Sequence, residues 1–109
     1  MVMSLHSTVT SVGVATVVAL EGSVDLASIG TLHGELSRVI RMHPGATIVV
    51  DLDAVSALDD TGLGILLGAA AAAREAGGDL EVACSAPSLR ARFDRTGFDR
   101  AVTVRATIA

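Results

Sequence analysis

The chain has no lysine, and its eight basic residues are all arginines. Phosphoryl chemistry built on a nucleophilic aspartate wants a cation on the phosphate, usually a lysine, so this absence weighs against it. No basic run is present either, and the net charge is −4. That argues against nucleic acid or an anionic membrane as the main partner. The single cysteine, Cys84, rules out an internal disulfide, and a reduced, cytoplasmic setting is expected. No apolar run is long enough to span a bilayer; the most apolar stretch, residues 62–73, is short and rich in Gly and Ala. The first residues, Met1 to His6, lack the charged and apolar regions of a secretory signal. Linkers, repeats and low-complexity tails are missing too. What remains is 109 residues, half of them apolar. One domain, residues 1–109, with a single core is expected.

The most informative stretch is Asp59-Asp60-Thr61-Gly62-Leu63-Gly64. Upstream, Thr47 to Asp53 is a short β-branched run ending in acid, which reads as a buried strand. Downstream, Leu63 to Ala76 is rich in Ala and Leu and stops at Gly77-Gly78, which reads as a helix. The stretch is therefore a short loop that opens a helix. An Asp here caps the free N–H groups of the first turn. Thr61 falls in that turn, with its hydroxyl expected to face outward. Gly62 and Gly64 keep the surroundings small, so that another protein can approach closely. Local geometry alone leaves a second reading open, an ordinary cap without the Glu of a capping box.

Taken in order, Leu5 to Val12 reads as an edge strand, punctuated by Gly13. Val14 to Leu20 is a second strand, apolar enough to be buried on both faces, and the short gap implies a hairpin. Glu21 to Asp25 reads as a polar turn. A first helix is expected over Ser28 to Met42, with Ile29, Leu32, Leu36, Val39 and Ile40 on one face. His33, Glu35, Arg38 and Arg41 fall elsewhere, as solvated residues. Gly30 and Gly34 weaken this helix by about 1 kcal/mol each relative to Ala, so its apolar face must hold it. Pro44-Gly45 ends it.

On the second helix, Leu63, Leu66, Leu67, Ala70 and Ala73 make an apolar stripe. Leu80 to Cys84 is a fourth strand. Ser85-Ala86-Pro87 starts a third helix, with Ser as cap and Pro in the first turn. Leu89 and Phe93 face in, Gly97 closes the helix, and Phe98 packs back on its last turn. Ala101 to Arg105 is a short fifth strand. Arg90, Arg92 and Arg95 read as a solvated face, with a partner's acidic edge as the alternative. Cys84 reads as a small buried hydrophobe. His6, His33 and His43 lack metal-ligand spacing, and no metal or cofactor is expected.

Two strands followed by alternating helices and strands imply a mainly parallel sheet with one antiparallel edge. Functional loops of such sheets gather at the carboxyl ends of the parallel strands. Asp25, Asp53 and the Asp59–Thr61 loop all fall just past expected strand ends. Three carboxylate-bearing loops would then converge on one Thr hydroxyl.

Four motifs in order resemble the anti-sigma-factor antagonists of the STAS family. They are Gly-x-x-Asp at Gly22 to Asp25, the strand end Asp51-Leu52-Asp53, the helix opening Asp59-Asp60-Thr61-Gly62-Leu63, and Phe93 to Phe98. The resemblance covers residues 14–105. It implies a mixed, mainly parallel α/β sheet of about five strands with an N-terminal antiparallel edge and about three helices. It also implies a non-enzymatic regulator that binds an anti-sigma factor and frees a sigma factor. Thr61 would be phosphorylated by that anti-sigma factor, itself a serine/threonine kinase, and restored by a phosphatase. The flanking acids of the pattern are Asp25 and Asp59. The implied partner surface is Gly22, Asp25, Asp59, Asp60, Thr61, Gly62, Leu63 and Gly64. A monomer is favoured. Asp60 stands where the family pattern has Ser, and little chain remains for the family's terminal helix.

Rival readings belong to other classes. Ile48 to Val55 resembles the first strand of haloacid-dehalogenase-type phosphatases, with Asp51 as nucleophile. That chemistry also needs the missing Lys and a later acidic pair for Mg²⁺. A receiver domain likewise wants a Lys on a late strand. A STAS-like module could instead bind a small anionic ligand or nucleotide at the helix start, where free N–H groups favour anions. The nearby acids oppose that.

Overall fold

The computed structural model describes residues 5–108. Met1–Ser4, which bear on the absence of a secretory signal, and Ala109 lie outside the described residues. The elements are β1 (His6–Val12), β2 (Ala15–Val24), α1 (Ile29–Met42), β3 (Thr47–Leu58), α2 (Asp60–Glu75), β4 (Asp79–Ala83), α3 (Pro87–Thr96), α4 (Phe98–Ala101) and β5 (Val104–Arg105). The sheet runs in the order β1-β2-β3-β4-β5. Its first pair is antiparallel and the other three are parallel. This is the mixed, mainly parallel sheet that the strand and helix alternation implied. A fourth, four-residue helix takes the first residue of the expected fifth strand, Ala101, and the strand itself shortens to Val104–Arg105.

The two central strands are apolar on both sides, and burial follows: Val17, Val18, Val49 and Val50 are each at most 1% exposed. Their two faces join different clusters. Val18, Leu20, Ile48, Val50, Leu80 and Val82 pack against the helices. On the other face, Val17, Val49 and Ala83 are packed by Ala15 and by Ile108 from the C-terminal segment.

The first helix begins one residue later than expected, with Ser28 at its cap position. Leu32, Leu36, Val39 and Ile40 are its buried residues. Each fully buried aliphatic side chain contributes about 1.5–3 kcal/mol. Three or four of them outweigh the roughly 2 kcal/mol lost at Gly30 and Gly34. The second helix buries Leu63, Leu66, Ala70 and Ala73, while Leu67 is 39% exposed. Leu67 sits at the edge of that stripe, about 40° beyond Leu63 and about 100° from Leu66, so it is only partly covered. At the far end of α2, Arg74 donates to the Asp79 carboxylate at 2.9 Å and to the Ala101 carbonyl at 2.7 Å. Phe93 and Phe98 pack with ring centroids 4.8 Å apart, as the Gly97 helix end suggested.

Two strands are longer than the sequence reading. Of the expected turn over Glu21 to Asp25, all but Asp25 is the end of β2. The strand passes through two register shifts there, and Gly22 takes φ 116°, a bulge conformation open to glycine. Correspondingly, β3 does not stop at Asp53. Ala54, Val55, Ala57 and Leu58 pair with Glu21, Gly22, Ser23 and Val24. The second helix accordingly starts at Asp60, three residues before Leu63. At the third helix, Ala86 occupies the cap position, and Ser85 is engaged elsewhere.

Candidate functional site

The site is built where the two central strands end together. Val24 and Leu58 are register partners, so Asp25 and Asp59 leave the sheet side by side. The Asp59 backbone N–H donates to the Val24 carbonyl at 3.1 Å. Asp59 is the N-cap of α2: its Oδ1 accepts from the Gly62 N–H at 2.9 Å, and its carbonyl accepts from the Leu63 N–H at 3.2 Å. The N–H groups of Asp60 and Thr61, still in the first turn, have no intrahelical acceptor.

Thr61 is exposed, and its hydroxyl makes no hydrogen bond to another described residue. Gly62 beside it is buried. A Cβ there would lie 2.6 Å from Leu58 Cδ1 and 2.7 Å from Val24 Cγ1. Its smallness serves the helix–sheet contact underneath, not the outer surface. Leu63 is also buried, at 6% exposure. Gly64 is exposed, with nothing near the position of a Cβ. Gly64 opens a groove of about 440 Å³ between α1 and α2, lined also by His33, Leu36, Ile40, Ile65 and Gly68.

The three carboxylates expected at one hydroxyl do not all reach it. Asp25 turns into its own loop: Oδ1 accepts from the N–H groups of Ala27 and Ser28 at 3.0 and 3.2 Å. The buried Ser28 hydroxyl donates to the Ser23 carbonyl at 2.8 Å and accepts from the Asp25 N–H at 3.0 Å. This network fixes the β2–α1 loop and leaves Leu26 80% exposed. Asp53 lies within β3 and accepts from the Ser85 N–H at 2.8 Å and the Ser85 hydroxyl at 3.0 Å. It therefore ties β3 to the β4–α3 loop. Asp51 accepts from the Asp53 N–H at 3.0 Å in mid-strand. Among the described residues, no cluster of His, Cys, Asp and Glu is arranged to hold a metal ion. Cys84 is fully buried, and burial raises its thiol pKa above the ordinary value.

Asp60 and Arg92 were not legible as a pair. Arg92 Nη2 donates to Asp60 Oδ1, joining α3 to the first turn of α2. The Arg92 side chain is only 21% exposed, whereas that of Asp60 is 89% exposed. Arg92 thus departs from the solvated face expected of it. Arg90 reaches the Cys84 carbonyl at 3.0 Å. Leu26 and Ser28 also escaped the sequence reading; the Asp25-x-x-Ser28 spacing of a local side-chain turn was the available signal.

A mixed five-stranded sheet with its helices on one face carries, at the carboxyl ends of two neighbouring strands, an acid-capped helix start presenting an exposed hydroxyl. A family model for the STAS domain matches residues 6–109. The chain belongs to the STAS-domain family. It is similar to an anti-sigma factor antagonist from Mycobacterium paratuberculosis, 25% identical over 95% of this chain and 87% of that one, with a TM-score of 0.84. The phosphorylated form of the Bacillus cell fate determinant SpoIIAA is 21% identical over 93% and 92%, with a TM-score of 0.65. A murine anion transporter, solute carrier 26 family member A9, matches 91% of this chain with 17% of its own, at 13% identity and a TM-score of 0.74. The last two share the fold. Among the described residues, no helix is long and apolar enough to cross a membrane.

Proposed function

We propose that this protein is an anti-sigma-factor antagonist with Thr61 as its switch. The observation that carries the reading is the Thr61 hydroxyl, exposed on the capped first turn of α2. Membership of the STAS family and the likeness to an anti-sigma factor antagonist support it. In the unmodified form, the surface around Leu26, Thr61 and Gly64 docks on an anti-sigma factor and releases its sigma factor. Gly22, Gly62 and Leu63 are buried and shape that surface from below. Asp25 and Asp59 hold the two loops that frame it. Asp60 lies on its rim.

The anti-sigma factor is also the kinase. The Thr61 oxygen forms a bond to the γ-phosphorus of Mg-bound ATP, and the bond from that phosphorus to ADP breaks. The hydroxyl proton passes to a base supplied by the kinase. A phosphatase reverses the modification by adding water across the phosphoester bond. The protein itself catalyses neither step.

Incubation with the cognate anti-sigma kinase and Mg-ATP should add one phosphate, located on Thr61 by mass spectrometry. Thr61→Ala should take up none. Phosphate on another residue, or equal labelling of Thr61→Ala, would overturn the assignment.

A further inference from the structure

We propose that Arg92 is the cation that reads the modified Thr61: parked on Asp60 in the unmodified protein, its guanidinium passes to the phosphate when one is present. This rests on the reading of Thr61 as the acceptor and adds to it a residue from a different helix. The asymmetry of the pair is the main observation. The cation is largely covered and therefore held in place, while the acid is almost fully exposed and loosely held. Arg92 makes its contact to Asp60 through Nη2 alone. A guanidinium carries five N–H donors in a planar fork, so most of its donor capacity remains.

A phosphate outbids a carboxylate for that fork. It carries about −1.5 to −2 charge at neutral pH and three acceptor oxygens, against one charge and two oxygens. Planar, bidentate pairing of Arg with phosphate adds geometry to charge. Asp60 and Thr61 are consecutive in the first turn of α2, their side chains leaving the helix about 100° apart, so exchanging one for the other requires the long Arg92 side chain to swing across that angle.

The other arginines with side-chain partners are engaged away from this turn: Arg38 with Glu35, Arg74 with Asp79, Arg90 with the Cys84 carbonyl, and Arg105 with Glu81. Arg92 alone among the described residues forms an ion pair with the first turn of α2. It also gives Asp60 a purpose. The exposed acid serves as a standing substitute anion, keeping Arg92 positioned and partly neutralised until the phosphate arrives.

The test uses full-length protein carrying genetically encoded phosphothreonine at position 61, so it does not depend on any kinase. The phosphate is titrated by ³¹P NMR. Replacing Arg92 by Gln should raise its second pKa by about 0.5 unit or more, because a nearby cation favours the dianion. Arg92→Lys should fall between the two, since Lys keeps the charge and loses the fork. Arg74→Gln, on a cation engaged elsewhere, should leave the value in place. A second readout needs no variant: the Arg92 Nε–H resonance should move downfield in phosphorylated relative to unmodified wild-type protein. If Arg92→Gln titrates as wild type does, or the Nε–H resonance is the same in both forms, the proposal is overturned. Should a kinase leave Thr61 unmodified while these shifts appear, the switch reading fails and the Arg92 contact stands.

Discussion

The N–H of Asp59 donates to the carbonyl of Val24, so the residue that caps α2 is anchored to the strand that leads into Asp25. Two loops from different parts of the chain are thereby fixed to each other before either meets a partner. The same cap should be measurable. Asp59→Ala removes the acceptor for the Gly62 N–H and should cost about 0.5–2 kcal/mol in urea unfolding. Asp59→Asn, which keeps an acceptor oxygen, should cost less. Equal losses for the two would mean that the carboxylate charge, not the cap hydrogen bond, matters.

Gly62 and Gly64 should respond in opposite directions. A methyl at Gly62 must displace Leu58 and Val24 side chains, and overpacking of this kind costs about 1–3 kcal/mol. Gly64 has open space at the same position, so Gly64→Ala should gain up to about 1 kcal/mol from helix propensity. Thermal and urea melts of both variants check this; a stabilised Gly62→Ala would contradict the packing.

For the switch, Thr61→Glu should leave the melting temperature within a few degrees. Charge at a helix start is favoured by about 0.3–1 kcal/mol, with Asp59 and Asp60 opposing it. A partner docked over that turn must bury or displace the charge, so binding to the anti-sigma factor should weaken by on the order of a hundredfold or more. Thr61→Ala should fold and bind. Calorimetric titration of the three proteins decides it. A phosphorylated protein that is unfolded, beside a Thr61→Glu variant that binds normally, would mean that phosphate acts through the fold.

Phosphorylation kinetics should expose the neighbouring acid. Asp60→Ser removes a negative charge beside the acceptor and should speed modification about threefold to tenfold, since the group is exposed. Unchanged or slower kinetics would assign Asp60 to orienting the acceptor.

The absence of Lys and Tyr allows an unusually clean pH experiment. Cys84 is then the one side chain expected to titrate between about pH 8 and 11. Burial holds its thiol protonated in the folded state, so above the ordinary thiol value the unfolded state has lost more protons than the folded one. Stability present at neutral pH should therefore fall as pH rises through that window. Melts of Cys84→Ala should lack the alkaline decline. A wild-type curve that stays flat would mean that Cys84 ionises as easily folded as unfolded.

Much of this was written locally. The hairpin about Gly13, the face of α1 and the Gly97 helix end depend on residues close in sequence, and the structure agrees on each. The ends of β2 and β3 were less legible. Gly22-Ser23 and Ala54-Val55-Ser56-Ala57 lack strand alternation, and they become strand by pairing with each other around a bulge. Asp53 was misplaced for the same reason, because its strand continues five residues beyond it. The Asp60–Arg92 pair spans 32 positions, and no local pattern reports so distant a partner.

The second helix is fastened at both ends, by Asp59 at its start and by Arg74, which grips Asp79 and the Ala101 carbonyl, at its finish. An element so fastened is poorly suited to carrying a signal by sliding or rotating. In the proposed switch, information would be stored as a covalent mark on a scaffold that does not rearrange. Erasing it would then require one hydrolysis and no refolding, so recovery after dephosphorylation should be as fast as the phosphatase itself.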